Sequence, residues 1–298
     1  VLSKKILANI YLLLVVVFWG LTFPLQKVIL INSLSPAFYN ALRFFMAIIF
    51  LIPFKAFRKN FFSSLTKEEL FHGVILGLFL SGGYVFQTWG LVYTTASKSA
   101  FITALYVGLV AIMAPFLERK APTFLQIVAL GISIMALYFL TSPAGGGFNL
   151  GDFLTLLCAI SYALHVLFIT HFTRENESEL SLLLPQLVTV MLVNVILIPV
   201  IPGKVILNRE IFFTAVFAAI FATIFAIAIQ LKYQKYVGSL GSSLVYVGEP
   251  AFALLFAVIL LGEKITMIEG LGLIMMVVGI ILGSLSTIKE KEQESEVG

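Results

Sequence analysis

Glu249 is followed directly by Pro250 inside an apolar run from Leu240 to Leu261. At about 1.5 Å per helical residue such a run crosses a hydrocarbon core of roughly 30 Å, which predicts a carboxyl group near the bilayer midplane. An acid at that depth is costly unless it is paired, wetted or protonated, so it marks a functional site or a tie between helices. Pro250 withholds one helical donor and frees a carbonyl about one turn earlier, near Tyr246. Ser242, Tyr246 and Glu249, spaced four and three apart, share one helical face. On that face Glu249 either meets an ammonium group or carries a proton.

Other apolar stretches carry polar faces of the same kind. Ser99, Thr103 and Tyr106 repeat the spacing of Ser242, Tyr246 and Glu249. Gly83, Gln87, Gly90 and Thr94 share a face, as do Thr223, Gln230 and Tyr233; Trp19, Thr22 and Phe23; and Cys158, Tyr162 and His165. Singly, each reads as hydrogen-bonding glue between helices. Together, symmetric in pairs, they point to a shared polar cavity with aromatic walls. Gln, Ser, Thr and Tyr offer donors and acceptors to an amphipathic or zwitterionic small molecule, and Trp19, Phe23, Tyr106, Tyr162 and Tyr246 offer faces for an apolar group or a cation. Arg43 is the other buried charge. It either pairs with a substrate carboxylate or snorkels toward the interface. His165 reads as a packing residue or a site residue. Gly279 and Gly283 form a G-x-x-x-G, and Gly73, Gly77 and Ser81 a similar ridge; both predict close helix contacts, within a monomer or across a homodimer.

The elements that must carry these faces follow from composition. Of 298 residues, 60% are hydrophobic and 11% charged, with a mean hydropathy of +1.06, more apolar surface than a soluble domain can bury. Runs of about twenty apolar residues make this an all-α polytopic membrane protein, since lipid tolerates only helices or closed barrels and the alternation of barrel strands is missing. Ten spans are expected, at 7–31, 36–57, 71–94, 98–117, 123–141, 151–171, 180–201, 210–236, 240–261 and 266–286. The basic and apolar start reads as a retained first span and not as a cleaved signal. With the start inside, thirteen Lys and Arg face the cytoplasm and five the other side, so the positive-inside rule puts both termini in the cytoplasm. The tail KEKEQESEV reads as a short, charged, unordered end. Gaps beside Pro24 and Pro250 are expected to let half-helices flex. Glu263 and Glu269 read as solvated residues near the outer mouth.

Sliding the chain against itself by 143 residues places Trp19 on Tyr162, Arg43 on Gln186, Gln87 on Gln230, Tyr93 on Tyr236, Tyr106 on Glu249 and Thr123 on Thr266. The chain therefore divides into a first five-helix repeat at 1–143, a second at 144–288 and a cytoplasmic tail at 289–298. An odd number of spans per repeat inserts the second copy upside down, which is the inverted-repeat architecture of secondary transporters with a site between the copies.

Several functions are excluded. Asp152 is the only aspartate, so no aspartate pair exists for intramembrane proteolysis; H-E-x-x-H, G-x-S-x-G, a P-loop and metal-ligand spacings are all lacking. No enzyme activity and no cofactor or metal are expected, and pumping would have to draw on gradients. The net charge of +4 is scattered in short loops, which gives no nucleic-acid surface. Cys158 is the single cysteine, so no intrachain disulfide forms.

FWGLTFPLQKV (18–28), ALRFFMA (41–47), FQTWGLVYTTASKSAFITALYVG (86–108) and above all EPAFALLFAVILLGEKIT (249–266) resemble the drug/metabolite transporter superfamily, in its EamA-type branch with ten spans in two repeats. The first repeat departs from this pattern, with Tyr106 opposite Glu249 and no analogous acid and proline there. The resemblance implies a carrier of small metabolites, often an exporter of amino acids or related compounds, in the cytoplasmic (inner) membrane of a prokaryotic cell, with membrane lipid and a small molecule as partners and, where transport is proton-coupled, protons. The polar faces place at the shared cavity Trp19, Thr22, Phe23, Arg43, Gln87, Ser99, Thr103, Tyr106, Tyr162, His165, Gln230, Tyr246 and Glu249. The alternatives are a channel-like or lipid-translocating protein of this fold, and a membrane scaffold or sensor without cargo.

Overall fold

A computed structural model describes residues 2–30, 34–56, 65–94, 96–119, 121–141, 148–174, 179–261 and 264–296. Glu263, most of the basic loop after residue 56 and the junction at 143 and 144 lie outside the described residues. The regular elements of these segments are all helices; the one β-type pairing among them is an isolated bridge between Leu34 and Lys204. The helices are α1 (Leu2–Leu30), α2 (Pro36–Ala56), α3 (Lys67–Gly90), α4 (Ala96–Ala104), α5 (Tyr106–Glu118), α6 (Phe124–Thr141), α7 (Leu150–Arg174), α8 (Glu179–Leu197), α9 (Arg209–Ala219), a π-helical turn (Ile220–Phe225), α10 (Ala226–Tyr246), α11 (Glu249–Leu261) and α12 (Met267–Glu296).

Helix starts are set by local chemistry. Thr66 and Glu69 close a reciprocal capping box on α3, with Glu69 N–H donating to the Thr66 hydroxyl at 3.1 Å and Thr66 N–H to the Glu69 carboxylate at 2.9 Å. Thr123 with Gln126 does the same for α6, and Thr266 with Glu269 for α12. These last two boxes lie 143 residues apart, so the aligned threonines are matching helix caps. Glu269 is thus engaged in capping and half-buried, not simply solvated. α12 continues to Glu296, so the tail that low hydropathy predicts to be unordered is helical that far, as the propensities of Lys, Glu and Gln allow.

Among the described residues seven stretches are long and apolar enough to cross a membrane, and Phe124–Phe139 and Ser181–Leu197 are shorter apolar helices. The stretch Arg209–Leu260 would be about 78 Å long as one rod, far beyond a bilayer. It is broken at Gly238, whose φ of 76° is the left-handed conformation that glycine adopts without strain. Large apolar side chains such as Ile10, Ile112, Phe124, Ile196, Ile259 and Ile274 lie exposed around the outside, as lipid contact requires. The chain is a polytopic α-helical membrane protein.

The main packing pairs join the two halves of the chain: α6 on α12, α3 on α7 and α8, α1 on α10 and α11, α2 on α8. Small residues permit this closeness. Gly77 of the predicted ridge leaves no room for a Cβ against Thr189 of α8. Gly279 packs on Ser133 and Gly283 on Leu244, so the G-x-x-x-G is occupied within the chain.

Two helices expected to be continuous are interrupted. The expected fourth span divides into α4 and α5 at Leu105, and the ninth at Val247 and Gly248, before Glu249. Leu105 and Gly248 are 143 residues apart. No proline follows Leu105 as Pro250 follows Gly248, so the proline alone does not account for the break. α1 runs through Pro24 as one helix, without the interruption seen beside Pro250.

Candidate functional site

The broken and continuous helices enclose a pocket of about 60 Å³ lined by Trp19, Thr22, Phe23, Gln26, Arg43, Leu80, Tyr84, Gln87, Tyr106, Tyr162, His165, Val166, Ile227, Gln230, Tyr246 and Glu249. Eleven of the thirteen candidate residues are among them. Ser99 and Thr103 are not: the Ser99 hydroxyl lies 3.3 Å from that of Thr155 and the Thr103 hydroxyl 3.8 Å from Cys158 Sγ, so both tie α4 to α7. Tyr106, just beyond the interruption at Leu105, lines the pocket instead.

Six pairs of lining residues are separated by 143 positions: Trp19 and Tyr162, Thr22 and His165, Phe23 and Val166, Tyr84 and Ile227, Gln87 and Gln230, Tyr106 and Glu249. The wall is thus built twice from equivalent places in the two halves. Glu249 replaces a tyrosine in this pairing, and Arg43 has no lining counterpart, since Gln186 at the matching position turns to His165 instead.

Arg43 is 1% exposed and does not snorkel. Its Nε donates to the Thr223 hydroxyl at 2.7 Å, and Nη2 donates to the Tyr84 hydroxyl and the Ala222 carbonyl, both at 2.9 Å. Its guanidinium also lies over the Tyr84 ring, 4.7 Å from the centroid. The π-helical turn explains the carbonyl. The Ala226 N–H, which an α-helix would aim at Ala222, goes to the Phe221 and Thr223 carbonyls, and Ala222 accepts from Arg43 and from Trp19 Nε1 at 3.1 Å.

The aromatic wall is ordered by edge contacts: Trp19 on Tyr246 with centroids 5.3 Å apart, Tyr84 on Tyr162 at 6.1 Å. Gly83 makes the space that the Tyr162 ring occupies. A polar network closes one side. Gln234 accepts from Gln230 at 3.1 Å and from the Tyr246 hydroxyl at 3.3 Å, and donates to the Val166 carbonyl at 2.5 Å and the Thr170 hydroxyl at 2.7 Å. His165 Nε2 is 3.0 Å from Gln186 Oε1. Glu249 opens α11, and its carboxylate has no hydrogen bond or ion pair among the described residues.

Sequence reasoning missed Tyr84, Gln26 and Gln234. Each extends a face already identified: Tyr84 is three residues before Gln87, Gln26 three after Phe23, Gln234 four after Gln230. No group of three metal-ligating side chains occurs among the described residues.

A second hollow, of about 150 Å³, lies at one end of the bundle between Lys5, Glu118, Arg174, Lys235 and the Gly238 break. There Arg174 pairs with Glu118 at 2.5 Å, Glu118 also accepts the Ser239 N–H at 3.0 Å, and Lys5 donates to the Thr287 carbonyl.

Comparison with known proteins places this geometry. The chain matches the EamA-like transporter family twice, over residues 6–142 and 149–285, the second match beginning and ending 143 residues after the first. An uncharacterized transporter of Archaeoglobus fulgidus is 30% identical over 282 residues, covering 95% of this chain and 87% of that one. A crystal structure at 17% identity superposes with a TM-score of 0.78 over 95% of this chain and 98% of its own, which is a likeness of fold.

Proposed function

Since the chain belongs to the EamA-like transporter family, we propose that it is a secondary transporter of small metabolites such as amino acids, an exporter or exchanger that works by alternating access around the pocket at Glu249. The observation that carries this reading is the lining of that pocket by six residue pairs at one constant separation, which makes the pocket the interface of two copies. The copies are the units 1–143 and 144–288 in opposite orientations. Seven membrane-length stretches and two shorter ones give ten crossings once the longest doubles back at Gly238. Both termini, with the tail at 289–298, then face the cytoplasm across the inner membrane.

A space of about 60 Å³ holds on the order of four to six waters, too few for an amino acid. The pocket must therefore widen to take cargo, and the breaks at Leu105, Gly238 and Val247–Gly248 are where the helices can turn to let it. The small volume is also the one feature that favours a cargo-free sensor or scaffold. Flux decides between them. In proteoliposomes, wild-type chain is expected to give saturable, gradient-driven flux of a metabolite mixture, and Glu249→Gln to lose at least tenfold of it while inserting normally. Full flux in that variant removes the acid from the mechanism, no flux in either favours the scaffold, and flux without saturation favours a channel.

A further inference from the structure

The two charges of the pocket differ in what they still lack. Arg43 has three of its N–H groups committed to Thr223, Tyr84 and Ala222, and these hold the guanidinium against the Tyr84 ring. Glu249 has none of its acceptor capacity used among the described residues. It sits in the first turn of α11, where the helix dipole favours the anion. Aromatic faces surround it: Trp19 and Tyr246 in edge contact, Tyr106, Tyr162 and Phe23 on the same wall. A single free carboxylate among aromatic rings suits a large cation of low charge density, which gains from both Coulomb and ring-quadrupole attraction. It does not suit a hard metal ion, which needs several oxygen ligands. An anion would meet the Glu249 carboxylate beside an Arg43 that already spends three of its five N–H groups on the protein.

We propose that the cargo is an organic monocation, a protonated amine with an apolar or aromatic body, read by the carboxylate of Glu249 and the aromatic wall, with Arg43 serving to shape that wall. This rests on the reading of the pocket as the transport site. An amino acid then binds through its ammonium group, and its carboxylate adds nothing.

Trp19 lines the pocket and the chain has two tryptophans, so a Trp89→Phe background confines intrinsic fluorescence to the site. Phenethylamine and phenylalaninamide are expected to quench it saturably; 3-phenylpropionate is not, and phenylalanine binds no more tightly than its amide. Glu249→Gln should weaken both amines at least tenfold, and Glu249→Asp less, with unchanged thermal unfolding in detergent as the check on folding. The proposal is overturned if phenylpropionate quenches as well as the amines, if phenylalanine binds more tightly than its amide, if neither amine saturates, or if Glu249→Gln binds like wild type. Counterflow in proteoliposomes separates the two readings. Amine binding without flux sinks transport and keeps the ligand class; metabolite flux without amine binding does the reverse.

Discussion

Arg43 is a charge that the fold has solvated with its own groups, and its fork geometry is the reason lysine cannot replace it. A lysine ammonium reaches fewer of Thr223 Oγ1, Tyr84 Oη and the Ala222 carbonyl at once and cannot lie flat on the Tyr84 ring. Arg43→Lys is therefore expected to cost about 1–3 kcal/mol, read as a lower unfolding temperature in detergent. Gly83 poses a steric question instead. A methyl group there runs into the Tyr162 ring, so Gly83→Ala must displace a wall residue. The expected result is a loss of about 1–3 kcal/mol of stability together with a lower flux. Unchanged flux in Gly83→Ala would mean that the place of Tyr162 in the wall is immaterial.

The breaks belong to the scale of elements. Gly238 ends one rod and begins the next at a φ of 76°, and Glu118 from the end of α5 accepts the first free N–H beyond it while pairing with Arg174 from the end of α7. One carboxylate thus fastens three helices from both halves of the chain. Arg174 is 43% exposed, so Arg174→Ala should cost under about 1 kcal/mol. Glu118→Ala also removes a helix cap and should cost more, on the order of 1–2 kcal/mol. Gly238→Ala is expected to cost at least as much, on the order of 1–3 kcal/mol, because its φ of 76° and ψ of 175° lie in a region essentially reserved for glycine. Equal losses for Arg174→Ala and Glu118→Ala, compared by thermal unfolding, would show that the cap is idle.

At the scale of the whole molecule, the topology makes a claim about sides. Lys5, Glu118, Arg174, Lys235 and Thr287 meet at one end of the bundle, whereas Leu34 and Ser35 meet Lys204 elsewhere, the Ser35 N–H donating to the Lys204 carbonyl at 3.0 Å. Cys158 is buried and can be replaced by Ala, which leaves single engineered cysteines as the only targets for an impermeant maleimide. Cysteines at Lys4 and Lys289 are expected to label only from the cytoplasm, and one at Val205 only from outside. Labelling of Lys4 and Lys289 from opposite faces would dispose of an even number of crossings.

Much of this was legible in one dimension. Hydropathy demanded a polytopic helical protein because lipid leaves the backbone no other partner. The 143-residue shift exposed the repetition because side chains that cap or face a shared space are kept at fixed intervals in both copies. Spacing also gathered eleven lining residues, since helical periodicity alone decides which side chains share a face. Ser99 and Thr103, which share the same spacing, lie instead against Thr155 and Cys158 of α7, and nothing in the residue types announces the interruption at Leu105 that separates them from Tyr106. Spacing left open whether Arg43 faced lipid or protein, and whether Gly279 and Gly283 served a second chain. Those answers depend on which helix lies alongside, a matter of contacts between residues up to 282 positions apart in the chain, such as Lys5 and Thr287. The sequence by itself determined the lipid-embedded class, the duplication and the polar faces. Only the tertiary structure decided that Arg43 spends three of its five N–H groups on Thr223, Tyr84 and Ala222 while Glu249 has no hydrogen bond or ion pair among the described residues, because hydrogen-bond capacity is used up by neighbours that folding supplies.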